Sequence, residues 1–214
     1  MKTFKEILVD FDACEEGLKW AGDKTIEEVI STVERGDWVL WLGDKLGLPL
    51  DKMTLAESLS AKTAIHLMEH ADSVNAVNVA EMFGIGKSSL EELSKAANRA
   101  NAVLIASDSA YAACTASYAA TYAAKAAACT ASWTDSYPAR AADYAADAIY
   151  AASKAAWTAI YEDAAYPDAD ADEFYISSAA NAAKIKNQEE TAIICTEILG
   201  DLIIDGINTK LNEK

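Results

Sequence analysis

Ala110, Ala113, Ser117, Ala120, Ala124, Ala127 and Ala131 recur at alternating intervals of three and four residues. Ala141, Ala145, Ala148, Ala152, Ala155 and Ala159 repeat the pattern beyond Pro138. A 3-4 spacing lines side chains along one face of an α-helix, whereas a strand alternates in twos. Each tract is therefore expected to be a helix with a flat, methyl-lined face. Such faces let two helix axes approach to about 8 Å, the short end of the usual range. Aromatic rows run alongside: Tyr111, Tyr118 and Tyr122 on the first tract, Tyr150, Trp157 and Tyr161 on the second. Flat faces should meet each other, and bulky faces should fill the gap to shorter helices. Pro167 ends the second tract. An unbroken helix from Ser88 to Tyr137 would reach about 75 Å at 1.5 Å per residue, so a break is expected near Ser107-Asp108-Ser109.

The flanking zones read as ordinary amphipathic helices. Thr25-Ile-Glu-Glu28, Thr54-Leu-Ala-Glu57 and Ser88-Ser-Leu-Glu91 each have the form of a capping box, in which a hydroxyl and a carboxylate satisfy free amides at a helix start. Asp37 is placed to cap Trp38-Val-Leu-Trp-Leu42, which Gly47, Leu48 and Pro49 stop. Gly84 and Gly86 mark the next loop. A final helix pair is expected from near Asp172, carrying Ile193, Ile194, Leu199, Leu202, Ile203 and Ile207, with Gly200 or Gly206 bending or ending it. Only 9 Gly and 3 Pro argue against an all-β chain, whose turns need them. The expected fold is an all-α helical bundle with long, closely packed Ala-rich helices and several short N-terminal ones. It is read as one domain over 1–214: short helices in 1–87, Ala-rich helices in 88–166, and a C-terminal helix or helix pair in 167–214.

Charge narrows the partners. The chain carries a formal net charge of −16, which repels phosphate backbones and disfavours direct nucleic-acid binding. It suits a partner with a basic surface. The opening MKTFKEILVDFDACEEG lacks the apolar core of a secretory signal. The longest nearly uncharged stretch, between Arg99 and Lys125, is Ala, Ser, Thr and Tyr rather than Leu, Ile and Phe, so it is not expected to enter a membrane. A cytoplasmic location with reduced thiols is expected for Cys14, Cys114, Cys129 and Cys195.

Several short motifs touch known chemistry. His66-Leu-Met-Glu69-His70 has the H-x-x-E-H form, which on a helix sets two imidazoles on one side as metal ligands; no third ligand follows it at the required place, and a chance pair is the preferred reading. Phe83-Gly-Ile-Gly-Lys-Ser-Ser89 lacks the first glycine of a phosphate loop, because Glu81 stands there, and reads as a glycine loop before a Ser-capped helix. Asp168-Ala-Asp-Ala-Asp172 lacks the glycine and glutamate of a calcium loop and reads as an acidic helix start. Arg35-Gly36-Asp37 reads as a turn between two helices. Trp20, Trp38 and Trp41 are either aromatic anchors for the short helices or a Trp-lined recognition surface. No motif implies a cofactor.

The segments Ala13-Cys-Glu-Glu-Gly-Leu-Lys-Trp20 and Arg35-Gly-Asp-Trp-Val-Leu-Trp-Leu42, followed by a long Ala/Tyr tract, resemble the immunity-protein family of bacterial toxin–immunity loci and phage genomes. The resemblance covers most of residues 10–165. It implies stoichiometric neutralisation of a toxin without turnover. An acidic face would meet a basic cleft, such as that of a nuclease effector. The candidate partner-binding residues are Asp143, Asp147, Glu162, Asp163, Asp168, Asp170, Asp172 and Glu173. One alternative is a phage anti-defence protein, either a nucleic-acid mimic such as an anti-CRISPR or a sponge for a nucleotide signal. The sponge would use a pocket of Tyr111, Tyr118, Lys125, Trp133, Arg140, Lys154 and Trp157. A second is a small metal-dependent hydrolase using His66, Glu69 and His70. Flat Ala faces left exposed would also pair between chains, so a homodimer stays open.

Overall fold

The computed structural model describes residues 2–106 and 169–213, with side chains over 2–102 and 178–213. The described residues form an all-α bundle of eight helices and one short 3-10 turn, with no strand among them. Seven helices precede the Ala-rich tracts: α1 (Phe4–Asp10), α2 (Glu15–Ala21), α3 (Ile26–Thr32), α4 (Gly36–Leu46), α5 (Leu50–Lys62), α6 (Ala71–Gly84) and α7 (Leu90–Ala106). The eighth, α8 (Ala169–Asn212), is a single rod of 44 residues. At 1.5 Å per residue it is about 66 Å long. The two Ala/Tyr tracts and the break near Ser107 lie outside the described residues.

Of the C-terminal helix or helix pair expected, the structure shows one helix. Neither Gly200 nor Gly206 ends it; a Cβ at Gly200 would lie 3.1 Å from Ile30 and one at Gly206 3.2 Å from Leu46. Their role is to leave room for side chains of α3 and α4. One row of buried residues along α8 runs Asn187, Thr191, Cys195, Leu199, Ile203 and Ile207. Steps of four overshoot a helical turn by about 40° each, so the buried stripe winds round the rod. Different helices meet it at different heights: α5 and α4 pack most extensively, with α3 and α1 following. The main core joins Phe4, Ile7, Leu8, Ile26, Leu40 and Leu42 to Leu199, Ile203 and Ile207.

Helix α5 sits between two layers, with α4 and α8 on one side and α6 on the other. Most of its residues from Met53 to Ala61 are buried, including Thr54, Glu57, Ser58 and Ser60. Beyond it, α6 and α7 meet through Ala76, Ala80, Leu93, Ala96, Ala97 and Ala100. Small residues therefore make a close seam in this part of the chain, as short side chains allow. Gly84 belongs to α6 rather than to a loop. A Cβ there would stand 2.6–2.9 Å from the side chain and backbone of Leu55.

Local signals at the helix ends are partly as expected. Thr25 and Glu28 form the full capping box of α3, and Thr3 and Glu6 form another on α1. The third box is Ser89–Glu92 rather than Ser88–Glu91: Ser89 N–H donates to Glu92 at 2.8 Å and Glu92 N–H donates to Ser89 Oγ at 3.2 Å. Thr54–Glu57 is not a cap. Helix α5 starts after Pro49, so Thr54 lies inside it and donates its hydroxyl to the Leu50 carbonyl at 2.8 Å. Asp37 does not cap α4 either, because Arg35 is the N-cap residue and Asp37 falls in the first turn. Gly47 closes α4 with φ at 67°, a left-handed conformation that glycine adopts without strain.

Candidate functional site

A cleft of about 420 Å³ opens between α1, α2, α3 and α4. Phe4, Leu8, Ala21, Val29, Val39 and Leu42 among its lining are buried and form its floor. The walls are the half-buried rings of Trp20, Trp38 and Trp41. Trp38 and Trp41 are three residues apart on α4, which places them on one helix face. Trp20 reaches them from α2, with its ring centre 5.4 Å from that of Trp38 at a tilt of 59°. Trp41 meets Phe11 edge-on at 6.5 Å. Rings in these arrangements stabilise each other by about 1 kcal/mol beyond their buried area.

The chain supplies its own cations to the indoles. Lys24 lies 3.7 Å from the ring centre of Trp20, Arg35 lies 4.7 Å from that of Trp38, and Lys45 lies 5.9 Å from that of Trp41. Arg35 is held tightly. Its Nε and Nη2 donate to both Asp37 carboxylate oxygens at 3.1 and 2.6 Å, and its Nη1 donates to Glu16 at 3.3 Å. Such a planar fork fixes the guanidinium over the indole, which a lysine could not do. The charged lining residues are Asp12, Glu16, Arg35 and Asp37. Three acids and one cation therefore line the cleft, with Glu16 and Asp37 paired to Arg35 and Lys24 and Lys45 lying over the wall rings.

The α1–α2 turn shapes one edge. Asp12 has φ at 58°, in the left-handed region where Asp is among the better-tolerated residues. Its amide donates to the Val9 carbonyl at 3.0 Å, and the Ala13 amide donates to Leu8 at 3.0 Å. Cys14 then caps α2, its Sγ accepting from the Gly17 amide at 3.4 Å. This exposed thiol is free, as is the buried Cys195.

Indoles, three lining carboxylates and an apolar floor suit non-covalent capture of an apolar side chain with a polar or charged flank. The anchor reading of the tryptophans fits the ring contacts of Trp20 with Trp38 and of Trp41 with Phe11, and all three also line the cleft.

The remaining candidates fall as follows. Asp143, Asp147, Glu162, Asp163 and Asp168 lie outside the described residues, as do Tyr111, Tyr118, Lys125, Trp133, Arg140, Lys154 and Trp157. Asp170, Asp172 and Glu173 lie near the N-terminal end of the described part of α8; their side chains are outside the described set. His66 and His70 do not share a helix face. His66 lies in the 3-10 turn Ile65–Leu67, and His70 is the N-cap residue of α6. No group of three or more His, Cys, Asp or Glu side chains able to hold a metal ion occurs among the described residues. Nor is any described helix long and apolar enough to cross a membrane. The cleft combines residues from 4 to 42; the sequence signals Trp20, Trp38 and Trp41 but not the pairing of Asp12, Cys14 and Glu16 with the α4 face.

No family model, curated protein or solved structure matches the chain.

Proposed function

We propose that this chain is a stoichiometric binding protein of the immunity or inhibitor type, which neutralises a basic protein toxin or effector without turnover. The observation that carries the reading is the Trp-walled cleft with Asp12, Glu16 and Asp37 at its rim. The occupant is an apolar side chain of the partner, flanked by Lys or Arg. Half-buried indoles offer large contact area at low entropic cost, which is why Trp dominates binding hot spots. The net charge of −16 supplies the long-range attraction that brings a basic surface to this side chain, a contribution to association rate that salt weakens.

The test is capture from producing cells followed by reconstitution with the purified partner. A basic protein bound one-to-one, with association slowed by salt, is expected. Trp38→Ala should weaken binding by about 30-fold, the equivalent of roughly 2 kcal/mol. Unchanged binding in Trp38→Ala, or a chemically altered partner released from sub-stoichiometric protein, would overturn the reading.

A further inference from the structure

Glu57 sits in the middle of α5 and is 1% exposed. Neither of its carboxyl oxygens has a hydrogen-bond partner among the described residues. A buried carboxylate without a partner is among the costliest groups in a protein interior, so such a group holds a proton or forces the surroundings to move.

Among the described residues, no positive charge acts on Glu57 in compensation. From α4, Asp44 acts on Glu57 as a like charge; Lys45 acts on Asp44 from the exposed end of that helix. From α8, Cys195 faces the same junction, 3.5 Å from Ser60. Glu57 and the α4 residue Asp37 both act on that thiol as negative charges. The other α8 carboxylates along this stretch, Glu189, Glu190 and Glu197, are exposed. From α6, Glu81 is already paired with Lys62 at 2.7 Å, and Asp72 lies in the first turn.

The junction is also tight. A Cβ on Gly43 of α4 would stand 2.8 Å from Met53 Sδ of α5, and a Cβ on Gly36 would stand 2.7 Å from the backbone of Thr191 on α8. Helix α4 is thus clamped against α5 and α8 on one face while its Trp38 and Trp41 wall the cleft.

We propose that Glu57 is a proton latch on the α4–α5–α8 junction: protonated it lets the three helices close, and ionised it drives them apart and loosens the α4 wall of the cleft. Burial, reinforced by Asp44, holds its carboxyl well above the usual range. Native protein therefore keeps a proton that the unfolded chain releases, and stability falls as pH rises from the ordinary carboxylate range towards the raised value. Glu6, Glu27 and Glu92 are shifted the other way by amide and hydroxyl hydrogen bonds, so their contribution changes only at acid pH, below the window of Glu57, whereas burial raises Asp44 in the same direction as Glu57. Regulation of capture through this latch rests on the binding role proposed above; the latch itself does not, because it is read on the unliganded chain.

The experiment measures unfolding by denaturant and amide hydrogen exchange of α4 and α5 across mildly acid to alkaline pH. In the wild type the unfolding constant should rise by up to about tenfold per pH unit within the transition, with α4 exchange rising in step. Glu57→Gln and Glu57→Leu should both flatten that rise, whatever their stability at a single pH. Parallel pH profiles in wild type and variants would overturn the proposal. Should neither variant fold, carboxyl carbon NMR of the wild type decides: a Glu57 signal that still reports a protonated acid above the ordinary carboxylate range supports the latch, and one that titrates within that range overturns it. Loss of the latch with intact partner capture would leave the binding role standing, and the reverse result would leave the latch standing.

Discussion

The bundle packs its two sides by opposite means. Around the C-terminal part of α8, helices α1 to α4 interlock large side chains: Phe4, Ile7, Leu8, Leu40, Leu199, Ile203 and Ile207. On the far side of α5, helices α6 and α7 close mainly over Ala76, Ala80, Ala96, Ala97 and Ala100 around Leu93, with Leu50, Val79 and Phe83 packed half-buried against them and Gly84 against the backbone of Leu55. Large side chains keep helix axes apart and give the surface relief, and the Trp-walled cleft opens on this side. Small side chains bring backbones together and give contact without relief. The same contrast sets which mutations each side tolerates. Truncation should hurt the first, because a hole is left, and enlargement should hurt the second, because no space exists.

The largest effect is expected from Leu199→Ala, which is fully buried in the main core and should lose about 3 kcal/mol in denaturant unfolding. A loss below about 1 kcal/mol would mean that α8 is not the spine of that side. Gly84→Val comes next. Its Cβ would meet Leu55 side chain and backbone inside 3 Å, and about 2 kcal/mol of overpacking strain is expected; a neutral result would show the α5–α6 seam to be loose. Thr25→Ala removes one capping box from α3 and should cost about 1 kcal/mol, belonging to neither packing regime. The smallest effect is expected at Val9, which is 55% exposed: Val9→Ser should stay within about 0.5 kcal/mol by the same measurement.

Legibility in the sequence follows the range of the forces involved. Thr25–Glu28 is readable because both partners of a capping box lie within one turn. The same four-residue signature at Thr54–Glu57 misleads, since Pro49 has already started α5 and tertiary burial then places Glu57 inside it. His66 and His70 look like one helical face only if α5 continues. It stops at Lys62, where Thr63 donates its hydroxyl to the Ser60 carbonyl and accepts from Asn187 on α8 at 2.9 Å. That contact spans 124 positions and leaves no local trace. Gly200 and Gly206 look like helix breakers because space for Ile30 and Leu46 is a property of neighbours. Trp20, Trp38 and Trp41 announce an aromatic cluster by composition alone, but the edge formed by Asp12 and Cys14 depends on how α1 and α2 turn onto α4.

The central claim is that the cleft accepts an apolar side chain flanked by positive charge. Its most direct measurement follows the indole N–H NMR signals of Trp20, Trp38 and Trp41 while a short phenylalanine peptide flanked by lysines is titrated in. The account predicts saturable shifts at these indoles, weakened by salt and absent with the glutamate-flanked counterpart. Unmoved indole signals with the lysine peptide, or equal shifts with both peptides, would contradict it.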